Sequence, residues 1–111
     1  MKTTTINLPA AVTRYFEAAN RFDVAAAVEC FTGDATVHDE NRNYAGREAI
    51  CGWIAETSRK YQPRFTPMRS SVQGNQVNLS VAVSGQFPGS PVTLDYEMAL
   101  RDEKIAALTI E

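Results

Sequence analysis

The sequence predicts an α+β domain shaped as a cone, with three N-terminal helices packed on one face of a curved, mostly antiparallel sheet. Three observations predict it. Apolar residues recur at three-and-four spacing from Val12 to Tyr61, interrupted by one short strand, and they alternate from Arg64 onward. Gly, Pro, Asn and Asp fall between the periodic segments and punctuate them.

Each element follows in order. Pro9 suits a helix's first turn, and Val12, Tyr15, Phe16 and Ala19 mark the buried face of a helix running to about Asn20. Asp23 is placed to cap a second, short helix with Val24, Ala27, Val28 and Phe31 as its stripe and Gly33 as its stop. Ala35-Thr36-Val37-His38-Asp39 reads as a strand, and the polar run Glu40 to Gly46 reads as a loop. A third helix, from about Arg47 to Tyr61, puts Ile50, Trp53, Ile54, Thr57 and Tyr61 on one stripe. Period-two segments from Arg64 to Gln73, Gln76 to Phe87, Val92 to Arg101 and Lys104 to Ile110 then make three consecutive hairpins. A sheet that curls around helices leaves a pocket with few polar groups.

At 111 residues the chain is read as a single domain, 1–111, with no linker or internal repeat. A net charge of −2 with interspersed signs offers no footprint for nucleic acid or an anionic membrane. The segment Met1 to Asn7 lacks the apolar core of a signal peptide, and no apolar run is long enough to span a bilayer, so a cytoplasmic location is expected. One His and two separated Cys, Cys30 and Cys51, give no metal or redox motif; both cysteines are read as reduced, structural and helical. No phosphate loop, nucleophile triad or dinucleotide fingerprint is present, so no cofactor is expected.

Strand alternation puts Ala35, Val37 and Asp39 on one face, so Asp39 ends an apolar row at the strand's mouth, where it can serve as a base or simply cap a turn. His38 points to the other face and cannot share a proton path with it. Tyr15 lies on the apolar stripe of helix one, as an oxygen donor to a ligand or as core. Phe16, Phe31, Val37, Trp53, Phe65, Val81, Tyr96 and Met98 are candidate walls of the pocket. Arg42 and Arg47 flank its mouth loop, as an attraction for an anion or as a solvated pair. Pairing Phe87 with Val92 sets Val83 against Tyr96 and Val81 against Met98, which turns Tyr96 inward and leaves Asp95 outside beside Ser84. A β-bulge near Pro91 would reverse that and bring Asp95 in.

The order of elements, with Phe31-Thr32-Gly33-Asp34-Ala35-Thr36-Val37-His38-Asp39 followed by Gly46-Arg47-Glu48-Ala49-Ile50, resembles the NTF2-like (cystatin-like) superfamily in its SnoaL-like and ketosteroid isomerase-like branch. The resemblance covers essentially the whole chain. Arg14-Tyr15 and Val37-His38-Asp39 match the ketosteroid isomerase pattern, which implies Asp39 as proton-shuttling base, Tyr15 as oxyanion donor and Asp95 as a third catalytic member. Ketosteroid isomerase is itself a standard case of an Asp base with such an oxyanion hole. Glu40 departs from that pattern, where the family has Pro, and so does Ile54, near a supporting Tyr. Fold does not fix function in this superfamily. The expected activity is therefore cofactor-free isomerase or cyclase chemistry on a small apolar molecule, or else a non-catalytic dimeric domain that binds such a molecule or none. A homodimer is expected under either reading, because Ala106, Leu108 and Ile110 are assigned to the outer sheet face.

Overall fold

The computed structural model describes residues 8–111; the segment Met1 to Asn7, read above as lacking a signal peptide's core, lies outside them. The chain runs α1 (Ala10–Asn20), α2 (Val24–Glu29), β1 (Phe31–Asp39), β2 (Arg42–Ala45), α3 (Arg47–Tyr61), β3 (Arg64–Gln73), β4 (Gln76–Ser84), β5 (Val92–Arg101) and β6 (Lys104–Ile110). Six strands form one curved sheet in the order β2-β1-β6-β5-β4-β3, antiparallel except for the β1–β6 pair. The α+β cone expected from the sequence is the fold. No helix among the described residues is long and apolar enough to cross a membrane.

Local chemistry sets the boundaries. The Pro9 carbonyl accepts from the Val12 and Thr13 N–H groups and opens α1. Asp23 caps α2 as expected, its carboxylate accepting from the Ala26 N–H at 3.1 Å. That helix closes at Cys30, which is its C-cap and not a helical residue, and Phe31 already belongs to β1, so Gly33 lies within a strand and stops nothing. Pairing with β6 captures the chain before it reaches the glycine: Phe31 pairs with Ile105, whose N–H donates to the Cys30 carbonyl.

The polar run after Asp39 is a hairpin, not a loop. Glu40 and Asn41 both have positive φ, 54° and 63°, the two-residue geometry whose twist suits antiparallel strands, and Asp39 pairs with Arg42 across it. Asn is at home there and Glu is not, which hid β2 from a reading based on turn composition. Likewise β4 stops at Ser84, not Phe87. Gly85 lies so close to the end of α3 that a Cβ on it would stand 2.7 Å from the Tyr61 carbonyl oxygen. The Gln86 N–H donates to that same oxygen at 2.7 Å.

The β4–β5 register differs from the expected one by four residues along β4: Val83 pairs with Val92, Val81 with Leu94, Leu79 with Tyr96 and Val77 with Met98. An even displacement keeps every side chain on its face, so Tyr96 is buried and Asp95 is exposed, opposite Ser80. An odd displacement does occur between β5 and β6. Leu100 pairs with Ile105 and Ala99 with Ala107, which makes Ala106 an extra residue that reverses the alternation beyond it. Leu108 and Ile110 consequently point inward, 1% and 7% exposed, so two of the three residues from which a dimer was expected belong to the chain's own core.

A side-chain tie joins α1 to the edge strand β3. Asn20, at the end of α1, donates through Nδ2 to the Phe65 carbonyl at 2.9 Å and accepts from the Phe65 N–H at 2.8 Å. It does for the edge strand β3 what a neighbouring strand would do. Asn20→Ala is expected to cost about 1–3 kcal/mol by leaving two partly buried backbone groups unpaired. Amide hydrogen exchange should then rise around Phe65 before it rises in β5. Gly85→Ala should cost a similar amount, about 1–3 kcal/mol, because the Tyr61 end of α3 must move; denaturant unfolding reads both.

Candidate active site

Between α1, α3 and the concave face of the sheet lies a cavity of about 400 Å³, in the size class of small-molecule sites. Its wall includes Tyr15 and Ala19 from α1, Asp39 and Glu40 from the first hairpin, and Trp53, Ile54, Thr57 and Tyr61 from α3. Phe65, Val83, Phe87, Leu94, Tyr96 and Ile110 complete most of it from the sheet side.

Asp39 is half-buried, and the Trp53 indole Nε1–H donates to its Oδ2 at 3.1 Å. Burial pushes the Asp39 carboxyl up from the ordinary aspartate range. The Trp53 hydrogen bond opposes that, while the neighbouring Glu40 charge adds to it. Tyr44 on β2 supports the indole from outside, its ring centroid 6.0 Å from Trp53 with the planes 31° apart.

Tyr15 and Tyr96 are each 2% exposed, yet both line the cavity. Neither hydroxyl has a hydrogen-bond partner among the described residues, and no buried side-chain oxygen or nitrogen there is left without one. The two hydroxyls therefore reach the open space of the cavity. Burial drives both phenols well above their ordinary range; the Asp39 charge adds to this in both, and Tyr15 adds to it in Tyr96. At neutral pH they are donors. Phe16 backs this group, its ring 5.2 Å from Tyr15, 5.6 Å from Tyr96 and 6.0 Å from Phe65.

The structure thus gathers Asp39, Tyr15 and Tyr96 around one volume and excludes Asp95, which is exposed on the outer face with its backbone paired to Glu111. Of the expected walls, Trp53, Phe65 and Tyr96 line the cavity. Phe16, Phe31, Val37, Val81 and Met98 do not; they form the packed layer beneath it. Arg47 leaves the mouth altogether: its Nε and Nη2 both donate to the Phe31 carbonyl, at 3.1 and 2.6 Å. Arg42 is exposed and does not line the cavity. His38 lies 2.7 Å through Nδ1 from the Asn43 side-chain oxygen. Cys30 is buried and Cys51 exposed, both free thiols, and no metal-binding cluster of His, Cys, Asp and Glu occurs among the described residues.

Sequence reasoning missed Glu40, Phe87 and Leu94 as wall residues, and missed that Trp53 holds Asp39. A signal existed for Trp53, since its helical stripe and the inward row of β1 had to meet. Nothing in the sequence marked the donor and acceptor.

Three helices packed in the curve of a single six-stranded sheet are the fold of the NTF2-like superfamily. The sequence profile of the SnoaL-like domain matches residues 12–108, and the chain belongs to that family. Among solved structures, it is similar to a candidate polyketide cyclase from Sinorhizobium meliloti. The identity is 38%, the TM-score 0.91, and the match covers 94% of this chain and 95% of that one. A protein of ketosteroid isomerase-like fold from Catenulispora acidiphila, solved in complex with trimethylamine, has 23% identity and a TM-score of 0.83 over 95% of this chain and 86% of that one; it shares the fold. So does SalBIII, an epoxide hydrolase/cyclase-like enzyme of pyran ring formation in salinomycin, at 23% identity and a TM-score of 0.79 over 90% of this chain and 85% of that one. A comparison with proteins of curated function finds no match.

The raised Asp39 carboxyl has a consequence for stability. The folded protein holds that proton more tightly than the unfolded chain does, so the stabilisation is full below the ordinary aspartate range and is lost as pH rises through the raised folded value. Asp39→Asn is accordingly expected to be more stable than the native chain at neutral pH, the difference shrinking as pH falls through that window; urea midpoints across pH measure it.

Proposed function

We propose that this chain is a cofactor-independent enzyme of the isomerase or cyclase type, acting on a small, largely apolar carbonyl compound. The observation that carries the reading is the convergence, on one open cavity, of a held, half-buried carboxylate and two phenols that have no hydrogen-bond partner among the described residues. The family membership and the likeness to a candidate polyketide cyclase support the same class.

In this reading Asp39 takes a proton from the carbon next to the carbonyl, and the electron pair moves onto the carbonyl oxygen. Tyr15 and Tyr96 donate to the oxyanion that develops, from positions fixed before the reaction and screened from bulk water. The proton returns from Asp39 to another carbon in an isomerisation; in a cyclisation the enolate carbon bonds to a second carbonyl carbon of the same molecule, the π pair of that C=O moves onto its oxygen, and the oxygen takes the proton from Asp39. Trp53 acts as a positioning residue, holding one oxygen of Asp39. Desolvation makes Asp39 a stronger base than a surface aspartate, and the buried phenols, being hard to ionise, stay donors.

The test is proton-deuterium exchange at the carbon next to the carbonyl of 2-tetralone and related enolisable ketones, followed by NMR. Exchange catalysed by the native chain should vanish in Asp39→Asn. It should fall about 100-fold or more when either phenol is replaced, in Tyr15→Phe or Tyr96→Phe, the scale of losing one oxyanion donor. Exchange that survives Asp39→Asn unchanged would sink the proposal in favour of a binding domain without chemistry.

A further inference from the structure

The charge on the cavity wall is one-sided. Asp39 and Glu40 both line it, and no lysine, arginine or histidine does among the described residues. None of the cations on the framing elements belongs to that wall among the described residues. Arg42 stands opposite Asp39 in the hairpin register but is exposed and off the wall. Arg47 is bound to the Phe31 carbonyl, Lys60 Nζ sits 5.2 Å from the centroid of the Tyr61 ring, and His38 is paired with Asn43.

An anionic group entering this cavity meets two carboxylates with no countercharge, in surroundings dry enough to raise one of them. A protonated amine meets the reverse: two carboxylates, with the aromatic side chains of Trp53, Phe65 and Phe87 in the same wall. At the inner end the Tyr15 and Tyr96 hydroxyls, without a partner among the described residues and on side chains that are 2% exposed, are donors for a neutral acceptor. Glu40 matters most at the mouth, because it is exposed, sits on the turn next to Asp39, and is not engaged by any cation among the described residues.

We infer that the cavity takes an amine-bearing carbonyl compound, its ammonium group against Glu40 at the mouth and its carbonyl oxygen at the two tyrosines, and that it rejects carboxylate- and phosphate-bearing ligands. This rests on the small-molecule reading above and adds the charge class of the ligand.

Trp53 is the chain's single tryptophan and lies in the wall, so its fluorescence reports occupancy. Three probes of one skeleton isolate the charge: 3-phenylpropylamine, 3-phenylpropanol and 3-phenylpropanoate, titrated at neutral pH. The amine is expected to bind at least tenfold more tightly than the alcohol, with the carboxylate weakest. Glu40→Gln should bring the amine to the level of the alcohol and leave the alcohol unchanged. Equal binding of amine and alcohol, tighter binding of the carboxylate, or an amine preference untouched by Glu40→Gln would overturn the inference and leave the cavity a small-molecule site. Failure of all three probes to perturb Trp53 at millimolar concentration would overturn both readings.

Discussion

The architecture of the site depends on a break in one β-ladder. Between Phe31 and Thr36 the pairing of β1 with β6 shifts register, and the Phe31 carbonyl is taken by the Arg47 guanidinium instead of by the sheet alone. A charge-assisted fork on a carbonyl is a strong and directional bond. Because Arg47 is the first residue of α3, that bond seats the helix against the strand whose far end carries Asp39. Trp53, nearly two turns on, then meets the carboxylate, and Tyr44 backs the indole. A distortion at one end of β1 thus fixes the geometry of an acid at the other.

Two opposing effects meet at Asp39. Burial disfavours its charge, and neutral N–H donors, the Trp53 indole first and the Glu40 backbone after it, restore part of the balance. Neither effect alone suits proton transfer: an unopposed desolvation would leave the group protonated, and a full set of donors would leave it a weak base. The phenols stand differently. Burial moves them away from ionisation, so nothing competes with their role as donors.

Much of this was legible in the residues. The three helices, the four long strands and the inward direction of Asp39 follow from periodicity, and the inward direction of Tyr96 survived a wrong register because the error was even. What stayed hidden depended on single-residue events. Glu40 in a left-handed conformation concealed β2, and the extra residue Ala106 turned Leu108 and Ile110 inward, removing the surface argument for a dimer. The ketosteroid isomerase pattern suggested Asp95 by position along the chain, but alternation along β5 decided against it. Wall and core were the hardest to separate: Phe16, Phe31 and Met98 are as apolar as Phe65 and Phe87, and only packing tells which layer touches the cavity.

The most direct test of this arrangement is a carbon-13 NMR titration of the Asp39 side-chain carboxyl in the native chain and in Trp53→Phe. The native carboxyl should titrate above the ordinary aspartate range, and losing the indole donor should move it higher still. Titration of both proteins at or below that range would contradict a desolvated carboxylate held by Trp53 at the cavity wall.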